Sequence, residues 1–486
     1  MEERDPLLPA FTGGHGRDNP ALSVNRPPWH GPSPVTDSGP DGKMRVTPLD
    51  EGDLAVSKSR WFILAVFSLL CCVQAATWNT WGGIADTAKV VLNWTDADIA
   101  LLANWGPIMF ILTGFAFSYL LLRKGLRYSV LLSSIILLFG LAIRCLPVGI
   151  ANVKWTMNAG HLCIGLAGPV MMGAPTEVSA VWFPPHERTT STAIASTSAF
   201  VGMALSFLVG PLVVSSIPQD ANSTVAPIDP TPYFRQIMNL MYIECGAAAV
   251  VVVAALLYFP EKPPTAPSVT ATKSRESFKE GFRSMIRSVN FWLLAAAYSI
   301  STGVFGGWST QVDTIFQNTL NVDQDTVGWI GFGTNIVAII GGLAVARLVD
   351  LTNVRMKTVL LLLMAAFCIS SLWCVLLTVK VIPYNLASLY ISCIAIGVFV
   401  NASVPIYFEI TVEGLYPVSE GNITMVMTYL NNVFALLFLI VPLFPKIDVV
   451  WMNWLLLGSG VVCLPLVLFY REHYNRMDED LAKDDP

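Results

Sequence analysis

Charge is what this sequence has least of: 13% of its 486 residues are Asp, Glu, Lys or Arg, against about 25% in a soluble globular domain. A chain that is also 54% hydrophobic has lipid as its main solvent. The formal charge is only -5 and the basic residues stand in short, separated clusters. The continuous basic face that nucleic acid requires is missing, which excludes a nucleic-acid partner. Histidine is scarce as well, five in all, with no metal spacing among them. With no phosphate loop and no plausible serine triad either, no cofactor, no metal and no enzymatic activity are expected. None of the nine cysteines stands in a Cys-x-x-Cys pair, and all fall in or beside apolar runs, where they suit helix packing rather than a disulfide frame or a zinc site.

What is present is long apolar runs. A bilayer core of about 30 Å needs roughly 20 such residues per helix. The chain supplies them near 61–84, 98–121, 128–147, 155–181, 190–215 and 238–259, and again near 290–316, 326–348, 358–379, 385–410, 422–444 and 449–470. The expected fold is therefore an all-α membrane protein of twelve helices in two six-helix bundles, 61–259 and 290–471, joined by a cytosolic linker over 260–289. Residues 1–60 are rich in Pro, Gly, Ser and Asp, carry no charged-then-apolar leader and read as a disordered cytosolic tail; 472–486 read as a second cytosolic tail. Lys and Arg concentrate in the loops after even-numbered spans, which places both termini in the cytosol. The sequons at Asn93 and Asn222 then fall on the other face, where glycosylation is expected.

The two halves repeat a pattern. The turn after span 2 reads Leu122-Arg123-Lys124-Gly125-Leu126-Arg127, and the turn after span 8 contains Asp350, Arg355 and Lys357. After span 4 comes Phe183-Pro184-Pro185-His186-Glu187-Arg188, and after span 10 Tyr416-Pro417-Val418-Ser419-Glu420-Gly421: each is an aromatic, Pro, two residues, then Glu. Two matches at corresponding places point to duplication, as in many transporters. The basic turn resembles the major facilitator signature, with Leu122 where an acid is usual and only the second copy keeping one, Asp350. The resemblance implies gating roles for Arg123, Gly125, Arg127, Glu187, Arg188, Asp350, Arg355 and Glu420.

Nearly the whole membrane region resembles solute carrier family 49. The most specific stretch runs from Glu409 to Gly421, with Glu409, Glu413, Tyr416, Pro417, Glu420 and Gly421 in the family pattern; Trp78 to Gly82, Asp98 to Leu102, Gly165 to Pro169, Thr192 to Ser196 and Phe207 to Pro211 carry the resemblance to one branch. That branch implies a lysosomal transporter using protons to move pyridoxine, a vitamin B6 form, to the cytosol. Glu3, Leu7 and Leu8 fit an acidic dileucine signal, the kind of extended peptide that a clathrin adaptor reads.

Polar groups inside a bilayer are costly and therefore candidates for function or for bonding between helices. Gln74, Trp78 and Trp81 fall at i, i+4 and i+7 of span 1 and share a face, where two rings and an amide suit a flat aromatic or cationic solute. Trp78 also matches a substrate-contacting tryptophan of the family. For Trp81 an interfacial anchor is the competing reading. Gly303, Gly306 and Gly307 in span 7 make either a hinge or a close helix contact, and Trp308 and Gln311 just after them are further candidates for substrate binding. Asn432 aligns with a family site glutamine, whereas Phe200 stands where the heme- or choline-associated members have glutamine. Four acids, Glu177, Glu244, Asp313 and Glu409, are candidates for proton coupling: Glu244 one turn into span 6, Asp313 near the same face on span 7, Glu177 and Glu409 toward the cytosolic ends, where loop arginines such as Arg188 offer partners. The function expected is alternating access for a small solute and protons. A choline- or heme-type transporter and a nontransporting lysosomal sensor or scaffold are the alternatives.

Overall fold

In a computed structural model the described residues are 36–38, 44–46, 56–215, 229–272, 278–322, 324–352, 355–440 and 450–481. Among them, ten helices are long and apolar enough to cross a membrane; dividing the longest at Gly125 and adding Val153–Gly173 gives twelve apolar helices, whose form follows because a backbone in lipid must satisfy its own hydrogen bonds. They are α1 (Ser59–Trp78), α2 (96–124), α3 (126–144), α4 (Val153–Gly173), α5 (Arg188–Val213), α6 (Thr231–Leu257), α7 (Val289–Thr310), α8 (Gln324–Thr352), α9 (Met356–Thr378), α10 (Leu386–Leu415), α11 (Glu420–Ile440) and α12 (Val450–Phe469). With an even number of crossings, the start of α1 and the end of α12 lie on one face, here termed the terminal face.

Local chemistry sets the ends. Thr95 caps α2 in a capping box with Asp98, Ser288 caps α7 through the Phe291 N–H and Asn385 caps α10, each satisfying a free amide of a first turn. Helices α2 and α3 meet at Gly125, whose φ of 83° is the left-handed region that glycine tolerates.

Four spans differ from the sequence reading, one of them span 7, which ends at Thr310 rather than 316 and is followed by a separate helix, Val312–Leu320. Helix α1 stops at Trp78 and a tight 3-10 turn, Thr80–Gly83, follows, so Trp81 leaves the helical face of Gln74 and Trp78. Span 4 is not continuous to 181: it breaks at Ala174, and Pro175 opens a separate helix, Pro175–Trp182, because proline has no N–H to continue the ladder. Helix α6 begins at Thr231 rather than 238, which puts Glu244 in its middle rather than one turn inside.

Packing repeats between the halves. Within the first, α1 lies on α5 and α6; within the second, the corresponding α7 lies on α11 and α12. Across the divide, α2 packs on α11 and α5 on α8, pairs that exchange when the halves are swapped. Glycines permit the closest approaches: a Cβ on Gly202 would strike the Cys72 carbonyl of α1, and one on Gly303 would come within 2.8 Å of the Asn431 carbonyl of α11. Short helices, Val269–Thr272 and Phe278–Arg287, occupy the linker, and Asn475–Leu481 follows α12. The chain divides into Met1–Asp53 and Leu54–Pro486. In the first unit, expected as a disordered tail, the described residues form two short strands, Thr36–Ser38 and Met44–Val46, paired antiparallel. Glu3, Leu7, Leu8 and Asn222 lie outside the described residues.

Candidate functional site

Trp78 is fixed by a proline. Pro107 in α2 cannot donate to the Ala103 carbonyl one turn back, and the Trp78 indole N–H takes that acceptor at 2.8 Å. Gly106 leaves room for the ring, since a Cβ there would lie 2.7 Å from the indole nitrogen. Half-buried, Trp78 thus presents its remaining edge in one orientation. Gln74, one turn earlier, is buried and donates to the Ile164 carbonyl of α4 at 3.4 Å. On α11, Asn432 is buried and bonds back to the Thr428 carbonyl at 2.9 Å, while Asn431 ties to Thr302 of α7 at 2.6 Å. Trp81 is buried against Trp94, ring centres 4.9 Å apart. Gln311 caps the end of α7 and is half-buried. Asp313 lies beyond α7, in the helix Val312–Leu320, and its side chain is outside those described.

The two halves tie the same three helices together with different chemistry. In the second half Trp308 of α7 donates to Asn453 of α12 at 2.7 Å, and Asn453 donates to Thr378 of α9 at 3.2 Å. In the first half the corresponding tie runs from Thr80, just beyond α1, to Glu244 of α6 at 2.6 Å and on to Arg144 of α3, 3.1 Å from the carboxylate. Arg144 is fully buried, and its guanidinium also reaches the Thr77 carbonyl at 3.2 Å. Gly160 of α4 admits its stem, where any Cβ would collide. A neutral chain suffices for packing in one half; the other carries an ion pair, whose desolvation costs several kcal/mol per ion before pairing.

At the terminal face, hydrogen bonds cross between the halves. Ser118 of α2 bonds Asn422 of α11 at 2.6 Å; Thr424 of α11 donates to the Gly173 carbonyl at 2.6 Å and meets Thr176 at 3.1 Å. Glu177 accepts the Gly421 N–H at 3.0 Å. Asp350 accepts the Thr190 N–H at 2.6 Å, at the start of α5, where the helix dipole favours an anion. Glu409 takes the Thr192 hydroxyl at 2.5 Å and pairs with Arg476 at 2.8 Å, and the charge of the loop arginine Arg188 also acts on it. Glu420 lies 3.6 Å from the same guanidinium. Around this seam, Glu187 pairs with Arg60 at 3.1 Å, and Arg188 donates to Ser268 and Thr270 of the linker. The Arg123 guanidinium lies over the Tyr119 ring, and Arg355 is exposed at the start of α9.

Leu122 leaves the signature turn without its usual acid, and Glu261, from beyond α6, supplies one instead. Its oxygens accept the N–H groups of Leu126 and Arg127, both at 2.9 Å, at the start of α3. Glu261, Arg144, His161 and Arg476 are the residues that reading the sequence missed. Arg144 and His161 each had a signal, a charged or titratable side chain within an apolar run; Glu261 and Arg476 look like ordinary loop and tail residues.

The sequence profile of the Major Facilitator Superfamily matches residues 66–442. The Solute carrier family 49 member 4 homolog of Xenopus tropicalis is 39% identical over 427 residues, covering 87% of this chain and 93% of that protein. The Choline/ethanolamine transporter FLVCR1 of Felis catus is 25% identical over 417 residues, covering 82% and 70%. Among solved structures, the transporter FucP in its outward conformation superposes with a TM-score of 0.68 at 13% identity, over 85% of this chain and all of that one. The proton:xylose symporter XylE superposes with 0.65 at 14% identity, over 88% and 99%. Twelve helices in two repeated halves, the cross-half seam and the extent of these matches agree: the chain belongs to the major facilitator superfamily and, within it, to solute carrier family 49.

Proposed function

We propose that this transporter couples protons to the export of a small aromatic solute, pyridoxine or a close relative, from the lysosomal lumen to the cytosol. The carrying observation is the asymmetry between the halves: where the second ties α7, α12 and α9 with neutral groups, the first places Glu244 against Arg144. A carboxylate held by one guanidinium and one hydroxyl inside the bundle is a proton site that can be charged or neutral in turn, and neutralising it releases Arg144. In this reading the terminal face is cytosolic and sealed by the Glu177, Asp350 and Glu409 contacts. Solute enters from the lumen toward Gln74, Trp78 and Asn432, and the halves then rock. Asn93, exposed with a left-handed backbone, sits on the lumenal side, where a glycan is accepted, and the dileucine at Leu7 and Leu8 engages a clathrin adaptor.

The relative named for choline and ethanolamine favours a second substrate, which Trp78 would hold by its ring face; Phe200, in place of a family glutamine, favours the first. The test is uptake of labelled pyridoxine, choline and ethanolamine at pH 5 and pH 7.5 in cells expressing the Leu7→Ala, Leu8→Ala protein at the surface. Pyridoxine uptake that is strong at pH 5, weak at pH 7.5 and flat across both in Glu244→Gln is expected. Choline uptake without pyridoxine uptake selects the second substrate, and no flux of any of the three sinks both.

A further inference from the structure

His161 of α4 lies one residue from the glycine that admits Arg144. The ring is fully buried and its centre is 6.3 Å from that of Trp81. Its Nδ1 is 3.1 Å from the Met157 carbonyl, an acceptor only, so Nδ1 carries the proton and Nε2 of the neutral ring is a lone pair. That Nε2 has no hydrogen-bond partner, although the Trp78 carbonyl approaches the ring outside hydrogen-bond geometry. Arg144 is short of an acceptor in its turn, with Nε unpartnered. A buried acceptor and a buried donor left unmade are each costly in a closed bundle.

We propose that His161 is the alternate partner of Arg144: when Glu244 takes a proton, the guanidinium leaves the carboxyl and donates to His161 Nε2. The inference rests on Glu244 as the proton site. The groups facing that carboxyl are Arg144 and Cys145 of α3 and Thr80 beyond α1, while Arg144 in turn meets Met241 and Cys245 of α6 and acts on His161 of α4. Only Arg144 brings a positive charge, and a neutral Glu244 no longer holds it. The proton stays on Glu244 while the guanidinium keeps its own, so the exchange moves a charge by one helix without moving a second proton. The movement pulls on α4, whose Ile164 carbonyl receives Gln74, and so connects the proton site to the solute face.

A double-mutant cycle on the purified full-length protein tests this without any substrate. Glu244→Gln imitates the protonated acid, so in that background Arg144 depends on His161. His161→Phe is expected to lower Tm at pH 7.5 at least about twice as much in the Glu244→Gln background as in wild type, a non-additivity of the kind contacting residues show. His161→Gln, which restores an acceptor, is expected to return most of the loss. Equal losses in both backgrounds, or failure of His161→Gln to rescue, overturns the proposal. Should His161→Phe not fold, the cycle runs with His161→Gln and His161→Leu, and equal behaviour of these two overturns it as well. Uptake at pH 5 and 7.5 in Glu244→Gln separates the two ideas: a retained pH response removes Glu244 as the coupling acid, whatever the cycle shows.

Discussion

The guanidinium of Arg476, on the short helix beyond α12, lies 2.8 Å from Glu409 of α10 and 2.7 Å from Glu413 one turn along the same helix. It is 1% exposed. Burial opposes its charge, but the surrounding carboxylates of Glu413, Glu409 and Glu420 outweigh that and hold its pKa above the ordinary arginine value. Since Glu409 also accepts the Thr192 hydroxyl of the first half, a residue outside the membrane bundle completes the seam between the halves.

Arg476→Ala leaves buried carboxylates without their cation, and removing one partner of such a pair typically costs about 3 kcal/mol or more. A clear fall in Tm is expected, with greater labelling of cysteines introduced along the terminal-face seam. Arg476→Lys keeps charge without the fork and falls between. Unchanged Tm and labelling in Arg476→Ala would show that the tail helix is ornamental.

Glu261 gives a pH signature. Burial raises its pKa above the ordinary 4.5, while the N–H groups of Arg127 and Leu126 draw it back down. A folded pKa above the unfolded one means the folded protein holds this proton more tightly. The group therefore favours folding most at low pH, and that advantage is lost as pH rises from about 4.5 through the folded value. Glu261→Gln removes this slope, so a plot of Tm against pH is expected to fall less steeply above 4.5 for the variant than for wild type.

Gly125→Ala confronts both a φ of 83° and the Glu261 carboxylate. A loss of about 1–3 kcal/mol is expected, seen in thermal unfolding. Gly149, also at positive φ but with open space around it, is expected to lose less on the same change, which separates backbone strain from collision.

Asp98 is tied at the start of α2, its carboxylate 2.7 Å from the Lys154 ammonium and accepting the Thr95 N–H at 3.0 Å, far from the Glu244 pairing in its contacts. Asp98→Asn is expected to leave the ratio of uptake at these two pH values unchanged while weakening the cap of α2.

The glycines of α7 divide by their surroundings. Gly303 and Gly307 face the Asn431 carbonyl and the Phe438 ring, whereas Gly306 faces open space. Gly303→Val is expected to abolish well-folded protein, judged by gel filtration in detergent, and Gly306→Ala to leave stability within about 1 kcal/mol or raise it. Loss of transport in a stable Gly306→Ala protein would restore the hinge reading for that position alone.

The span count, the six-and-six division and the repeat were legible because each is a local property: a run of apolar residues long enough for the bilayer declares itself whatever it packs against. Part of the site was legible for the same reason, since Glu244 stands out as a carboxylate in an apolar run. Its partner did not, because Arg144 lies on another helix and the pairing depends on how α3 and α6 lie together. Trp81 shows the opposite failure: its spacing from Gln74 is helical, yet Asn79, Gly82 and Gly83 favour a turn over another helical step, and the turn carries the ring into the core. The amino-acid sequence by itself determined which segments enter the membrane and that the two halves are copies. Only the tertiary structure decided which charges meet, because burying an ion is tolerable solely where a distant segment brings its counter-charge within hydrogen-bond reach.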